Sequence, residues 1–147
     1  MRRVLIDADG CPVVDLTIKL ASKAGLEVLI FCDSSHHFER EGAQTIVIMK
    51  GPDAVDFKLV NAMDPGDIVI TQDYGLAAMA LAKGGHPLSQ NGLVYTHENI
   101  SPLLESRLAH FKARKQGVRM RGPKKRSKND DLKFEAALTS LLFNVDP

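Results

Sequence analysis

The sequence has no tryptophan, only two cysteines and two tyrosines, and no long apolar run. Its longest apolar runs are strand-sized, far below the roughly 20 residues that a membrane-spanning helix requires. Cys11 and Cys32 lack the spacing of a metal site, and so few cysteines exclude a small disulfide scaffold. The N-terminal arginines are followed by too short an apolar stretch for a signal peptide. We therefore expect a soluble cytoplasmic protein with reduced thiols and no membrane association.

The composition is sufficient for one buried core. The chain has 147 residues, of which 44% are hydrophobic and 25% charged. These proportions are typical of a globular protein and exclude wholesale disorder or a collagen-like fibre. A domain usually takes about 100–200 residues, so we expect one domain spanning residues 1–147.

The net charge of +1 conceals a strong separation of sign. Residues 112–128 contain nine cations and no acid, which leaves ten cations and 18 acids, a balance of −8, in the rest of the chain. Such a segment suits a polyanion, although a solvated loop or helix face gives the same pattern. The candidate nucleic-acid-binding residues are Arg114, Lys115, Arg119, Arg121, Lys124, Lys125 and Arg126.

Short β-branched runs alternate with helical stretches along the first hundred residues. The predicted strands are 3–6, 27–32, 44–49 and 67–71, with a short fifth around Leu93–Tyr95. Strands that are almost continuously Val, Ile and Leu indicate a parallel sheet covered on both faces. The predicted helices are 12–25, 51–63, 74–83, about 102–115 and about 130–143. The pattern predicts an α/β fold with a helical, basic C-terminal extension over about 102–147.

Aspartates gather where the predicted strands end. Asp7 and Asp9 follow the first strand, and Asp73 follows the fourth. The carboxyl ends of parallel strands share one edge, where ligands bind. Asp53 and Asp56 open a helix on the same side. Crowded carboxylates repel one another unless a hard divalent cation binds them, and oxygen ligands favour Mg²⁺ or Mn²⁺ over Zn²⁺.

Each of these acids also has an ordinary structural interpretation. Asp9 and Asp73 precede helices and are suited to N-capping. Asp53 and Asp56 are suited to the first turn of a helix, where the dipole favours acids. Asp7 ends a strand too early to cap the next helix, so the joint placement favours a metal site.

Three other residues lie near the same edge. Cys11 comes close to a helix start, where a thiolate is favoured, but has no histidine partner in the pattern. His36 and His37 follow the second strand in a polar loop, where they either face solvent or contact substrate. No glycine-rich phosphate-binding motif is present.

Five strings spread over the chain match one family. They are IDADGCPV at 6–13, FCDSSHH at 31–37, PDAVDF at 52–57, GDIVITQDYGLA at 66–77 and GPKKR at 122–126. In all five the chain resembles the YaiI/YqxD family of bacterial proteins. That family in turn resembles the PIN-like metal-dependent nucleases. The resemblance implies a three-layer α/β/α fold with a mainly parallel sheet of central strand order 3-2-1-4.

The resemblance to PIN-like nucleases also implies roles for the aspartates. The implied ligands of Mg²⁺ or Mn²⁺ are Asp7, Asp56 and Asp73, with Asp53 as the rival of Asp56 and Asp9 as an auxiliary ligand. The implied catalytic residues are Asp7, Asp9, Asp56 and Asp73. Many such nucleases have one more acid after the last central strand, for which Glu98 is the nearest match here.

The resulting hypothesis is metal-dependent hydrolysis of a phosphodiester, in RNA rather than DNA. The basic segment would hold phosphates without reading sequence, because phosphate contacts position rather than specify. Tyr74 and Phe38 are the candidates for base stacking. One alternative is a haloacid-dehalogenase-like phosphatase with Asp7 as nucleophile and Asp9 as acid/base. The other is an RNA-binding protein without catalysis. The sequence indicates no protein partner and leaves the oligomeric state open.

Overall fold

A computed structural model of the chain describes residues 2–33, 39–49, 54–117 and 125–143. Within these ranges the chain forms a five-stranded open sheet, all parallel, in the order β3-β2-β1-β4-β5. The strands are β1 (Arg3–Asp7), β2 (Glu27–Asp33), β3 (Gln44–Ile48), β4 (Ile68–Ile70) and β5 (His86–Leu88). The helices are α1 (Val14–Lys23), α2 (Ala54–Ala62), α3 (Tyr74–Ala82), α4 (Ile100–Lys115) and α5 (Lys128–Phe143). No helix in this part of the chain is both long and apolar enough to span a bilayer. The predicted α/β class and the central order 3-2-1-4 are confirmed.

Helices cover both faces of the sheet, which gives three layers. Successive side chains of a strand point to opposite faces. Val4 and Ile6 of β1 accordingly pack in the same cluster as α1 and α5. Leu5, between them, packs in the cluster on the other face with α2 and α3. All three side chains are fully buried. This explains why the strands are apolar at every position rather than at alternate ones.

The fifth strand lies earlier in the chain than the apolar pattern predicted. The structure places it at His86–Leu88, parallel to β4. The predicted segment Leu93–Tyr95 instead makes a single antiparallel bridge, between Val94 and Leu88. Its position at residues 93–95 was therefore wrong. Pro87 lies at the edge of the sheet, the position where a strand residue without an N–H is tolerated.

Helices α4 and α5 both begin two residues earlier than predicted because each has a local capping arrangement. Before α5, the Ser127 N–H donates to Oδ2 of Asp130 at 2.9 Å, and the Asp130 N–H donates to the Ser127 hydroxyl at 3.4 Å. Before α4, Thr96 and Asn99 exchange the same pair of side chain to backbone bonds. Such reciprocal bonds satisfy N–H groups that a helix leaves unpaired at its start.

The last helix packs on the sheet rather than extending away from it. Phe134 and Leu138 of α5 are fully buried in the cluster that contains α1. The turn after β5 approaches α5 so closely that a Cβ at Gly92 would lie 2.6 Å from the Lys133 carbonyl oxygen. Gly92 also has a φ of +88°, which a side chain disfavours. The Arg2 guanidinium donates to two carbonyls at the end of α5, each at 2.9 Å. The start of α5 therefore lies near the turn after β5, and its end is tied to the residue that precedes β1.

Candidate metal and nucleic-acid site

A small cavity opens at the carboxyl edge of the sheet, between the ends of β1 and β4. Asp7 is the last residue of β1, and Thr71 directly follows β4. Gly10, whose φ is +71°, turns the chain back toward α1. The cavity has a volume of about 120 Å³ and is lined by Asp7, Asp9, Gly10, Cys11, Ile70, Thr71, Gln72 and Gln90. Two of the predicted acids, Asp7 and Asp9, therefore share one cavity.

A single buried hydroxyl links the first and last of the predicted ligands. Thr71 Oγ1 donates to Oδ2 of Asp7 at 2.8 Å and accepts from the Asp73 N–H at 3.0 Å. Thr71 is only 2% exposed. Because the hydroxyl hydrogen is committed to Asp7, this carboxylate is held in one orientation. In the described part of the chain, Thr71 is the one hydrogen-bond partner of the Asp7 side chain.

The carboxylate of Asp7 is in an environment that opposes its charge. Burial, with a smaller contribution from the nearby charges of Asp73 and Asp9, raises the pKa of Asp7 to about 6, although the Thr71 bond acts in the opposite direction. Asp67 shows the contrast, because this buried acid at the start of β4 has an ion pair with Arg3 at 3.1 Å. No lysine or arginine of the described ranges forms such a pair with Asp7. Asp7 at the carboxyl edge therefore lacks the compensating positive charge that Asp67 has at the amino edge.

A second cavity, of about 220 Å³, lies on the other side of the Thr71–Asp73 turn. Its lining includes Asp56 of α2, Asp73, and Arg107 of α4. Asp73 caps α3, since its Oδ1 accepts from the N–H groups of Gly75 at 2.8 Å and Leu76 at 3.2 Å. Arg107 Nη1 lies 3.4 Å from the same oxygen. The acids are therefore divided between two adjacent cavities.

Comparison with known proteins assigns nearly the full length of the chain to one family. The family model described as "Uncharacterized BCR, YaiI/YqxD family" matches residues 5–144. The chain belongs to the YaiI/YqxD family. A "UPF0178 protein" of Exiguobacterium sibiricum is 55% identical over 140 residues, 95% of this chain and 96% of the relative. A "UPF0178 protein" of Ruminiclostridium cellulolyticum is 47% identical over 141 residues, 96% and 91% respectively. No solved structure matches.

In this member of the YaiI/YqxD family, the predicted acids that the structure describes do not converge on one metal-binding position. Among the residues that the structure describes, no three His, Cys, Asp or Glu side chains are placed to hold one ion. Asp53 lies outside those residues. Glu98 lines a different cavity, with His86 and His97. The interpretation of Asp73 as an N-cap, left open by the sequence, is confirmed by its two bonds to α3.

The two carboxylates in the first cavity nevertheless fit an ion that takes only some of its ligands from the protein. Mg²⁺ usually keeps several waters and binds through one or two carboxylates together with substrate phosphates. Asp7 and Asp9 line one cavity, and their mutual repulsion contributes to the raised pKa of Asp7. A divalent cation would reverse that effect, because an opposite charge nearby favours the ionised carboxylate. The residues present therefore fit a two-carboxylate site completed by water and substrate.

The predicted basic residues that the structure describes lie at two places, the end of α4 and the segment before α5. The positive charge of Arg126 acts to lower the pKa of the Cys11 thiol, against the larger effect of burial. The Arg126 side chain is held by bonds to Asp131 at 2.7 Å, Asn91 at 2.7 Å and the Gln90 carbonyl at 2.9 Å. Arg114 and Lys115 lie in the last turn of α4, and Lys125 is exposed. Arg119, Arg121 and Lys124 lie outside the described residues.

Cys11 is unsuited to act as a nucleophile. Burial raises the pKa of its thiol to about 11, with Asp7 adding to the effect. Helix α1 begins only at Val14, so the thiol does not occupy the helix start that the sequence predicted. The expected bias toward a thiolate was therefore wrong. His36, His37 and Phe38 lie outside the described residues.

Two residues of the site were absent from the sequence-based set. Arg107 reaches Asp73 across 34 positions of sequence, and nothing in its local pattern distinguishes it from the other cations of α4. Thr71 had a recognisable signal, since it is a hydroxyl residue directly after an apolar strand and between two acids of the resemblance. A buried polar side chain in that position has to find hydrogen-bond partners.

Replacing Thr71 by valine is expected to lower the free energy of unfolding by about 1–3 kcal/mol, because the Asp7 carboxylate and the Asp73 N–H lose their partner. The pKa of Asp7 should rise further, since the Thr71 bond lowers it. Urea denaturation at neutral pH measures the first effect. Thr71→Ser, which keeps the hydroxyl, is the matched control. Equal losses in the two variants would show that the methyl group, not the hydroxyl, matters at this position.

Proposed function

We propose that this protein is a metal-dependent hydrolase that cleaves phosphodiester bonds in RNA at the carboxyl edge of its sheet. The observation that supports this most directly is the Asp7 carboxylate, half-buried beside two other acids with no basic partner among the described residues. Keeping such a group costs free energy, and strongly perturbed acids in a cleft are concentrated at functional sites. The resemblance to PIN-like nucleases points in the same direction.

The chain's own residues divide the work of such a site. Asp7 and Asp9 would hold Mg²⁺ or Mn²⁺ in the first cavity, and Asp56 and Asp73 would provide the carboxylates of the second. When bound, the ion would polarise a phosphoryl oxygen and lower the pKa of a water molecule. Thr71 orients Asp7 so that its other oxygen, Oδ1, is left for this role. Arg107 supplies a positive charge at the mouth of the second cavity, where a neighbouring phosphate would lie.

Arg126 holds the C-terminal end of the basic segment in a fixed position. Its bonds to Asn91 and the Gln90 carbonyl tie residues 125–127 to the turn after β5, beside the first cavity, and its ion pair with Asp131 ties them to α5. From this position Arg126 and the exposed Lys125 would approach the phosphates that flank a substrate in the first cavity. Such contacts would give affinity without sequence preference.

The direct test is incubation of an end-labelled single-stranded RNA with the purified protein and Mn²⁺ or Mg²⁺. We expect fragments with either ion and none in EDTA. Absence of cleavage of both RNA and single-stranded DNA, with salt-sensitive binding that needs no metal, would instead identify a non-catalytic RNA-binding protein. Turnover of a small phosphate monoester with phosphate trapped on Asp7 would identify the haloacid-dehalogenase-like alternative.

A further inference from the structure

A groove of about 440 Å³ runs beside the second cavity, between the start of α3 and the outer half of α4. It is lined by Tyr74, Ser106, Arg107, His110, Phe111 and Arg114. Apart from Arg107, none of these residues lines the two acid-containing cavities; Tyr74 and Arg114 are sequence-based candidates for RNA contact, whereas Phe111 is not. The groove combines two aromatic rings with two arginines, a composition that the low aromatic content of the whole chain makes unusual.

The Phe111 and Tyr74 rings differ in their exposure and in the side chains that contact them. Phe111 is 56% exposed, although an aromatic side chain of this size is usually buried. The Lys115 ammonium lies 5.4 Å from its centroid. Tyr74 is held by the buried Tyr95, with ring centroids 6.0 Å apart and an interplanar angle of 69°. An edge contact of this kind fixes the Tyr74 ring without covering both of its faces.

The face of α4 beside this groove is not covered by the described part of the chain. Every residue from Glu105 to Lys112 is exposed. The helix carries Arg107, Lys112, Arg114 and Lys115 against one acid, Glu105. An exposed helix with the Phe111 ring, two arginines, two lysines and one acid is complementary to a polyanion with flat bases, rather than to an apolar helix of a partner protein.

The groove is continuous with the carboxylate site. Arg107 lines both the groove and the cavity of Asp56 and Asp73. Tyr74, which lines the groove, directly follows Asp73, which lines the cavity. A strand whose phosphate lay at the acids would therefore pass its next nucleotides along α4.

We propose that this groove binds unpaired bases of single-stranded RNA, with Phe111 and Tyr74 as stacking surfaces and Arg107 and Arg114 as phosphate contacts. Aromatic rings stack on any base, whereas a duplex hides the base faces. The groove thus selects single strands without selecting sequence. Its placement next to the scissile phosphate rests on the hydrolase proposed above, but base binding itself does not.

The test is binding without cleavage, measured by fluorescence anisotropy in EDTA with a labelled oligouridylate of about 12 nucleotides. Phe111→Ala should weaken binding on the order of tenfold, since one stacked base is lost. Phe111→Trp should restore it. Leu108→Ala is the matched control, because Leu108 is 52% exposed on the same helix and does not line the groove. Phe111 is too exposed for its removal to unfold the protein.

A second probe isolates the bases from the phosphates. An abasic oligonucleotide of equal length should bind wild type more weakly than oligouridylate and should show no further loss with Phe111→Ala. Equal affinity of wild type and Phe111→Ala for oligouridylate would overturn the proposal. So would preference for a duplex, or a Phe111-dependent self-association that leaves RNA binding unchanged.

These readouts separate the groove from the hydrolase. Tight, Phe111-dependent binding with no cleavage in Mn²⁺ would refute the hydrolase and leave the groove standing. Mn²⁺-dependent cleavage together with an RNA affinity that Phe111→Ala does not change would refute base binding in the groove but not the hydrolase. Binding of single-stranded DNA as tightly as RNA would overturn the restriction to RNA.

Discussion

Replacing Asp7 and Asp73 together by asparagine is expected to abolish Mn²⁺-dependent cleavage of single-stranded RNA while leaving the fold intact. Stabilisation of a developing charge by a metal ion is worth several kcal/mol, so the rate should fall by at least on the order of a hundredfold. Initial rates with end-labelled RNA, alongside circular dichroism of both proteins, measure activity and fold separately.

Asparagine is chosen because it keeps the structural contacts of both acids. Its amide oxygen can still accept from the Thr71 hydroxyl at position 7. At position 73 it can accept from the N–H groups of Gly75 and Leu76, and Asn is about as good an N-cap as Asp. What the two substitutions remove is negative charge. A loss of cleavage would therefore report on chemistry and not on lost capping or packing.

A second double variant controls for the change in net charge. Asp15→Asn with Asp64→Asn also removes two negative charges, from side chains that are 76% and 77% exposed and paired with Arg40 and Arg3. Both lie away from the two cavities, and we expect cleavage to be unchanged. Full activity in the Asp7/Asp73 variant would make the site assignment wrong. Equal loss in both double variants would point to net charge instead.

The parallel sheet and the edge at which the acids collect could be predicted because both follow from the chain pattern, whereas the strand order 3-2-1-4 came from the resemblance to PIN-like nucleases. A buried parallel strand is apolar at each position, and an acid that ends it marks the carboxyl edge. Asp7, Asp9 and Asp73 were found in this way. The fifth strand was misplaced because His86 and Pro87 lack the β-branched pattern, whereas the segment around Val94 has it.

The division of the acids into two cavities could not be predicted, since it depends on side-chain directions and not on sequence spacing. Asp7 and Asp73 lie at the ends of neighbouring strands, but Thr71 stands between them and Asp73 turns toward α3. The groove on α4 depends on how that helix lies over α3. No periodicity in residues 100–115 reports that angle, so the pairing of Tyr74 with Phe111 became visible only in the fold.

Asp7→Asn alone is expected to stabilise the protein in EDTA at neutral pH, even as it removes the chemistry. The pKa of Asp7 is raised from 3.8 to about 6 in the folded state. Ionised Asp7 therefore lowers the free energy of unfolding above pH 6, by roughly 3 kcal/mol. Asparagine avoids that cost, and we expect the melting temperature at pH 7.5 to rise by on the order of 5 °C.

The sign of the pH dependence follows from the same shift. A raised carboxyl pKa means that the folded state binds more protons than the unfolded state between pH 3.8 and about 6. Wild type gains stability as the pH falls through this window, so the advantage of Asp7→Asn should shrink and vanish below it. Melting curves at pH 7.5, 5 and 3.5 follow the effect.

The buried acid at the opposite edge of the sheet provides the control of opposite sign. Asp67→Asn removes the buried partner of Arg3, which then keeps the exposed Asp64 at 3.4 Å, and it should destabilise the protein at neutral pH because the stronger ion pair is lost. Mn²⁺ should raise the melting temperature of wild type and not of Asp7→Asn, because binding to the folded state stabilises it.

Two results would contradict the unfavourable electrostatic environment assigned to Asp7. One is an Asp7→Asn variant that is no more stable than wild type at pH 7.5, and the other is a gain in stability that persists at pH 3.5.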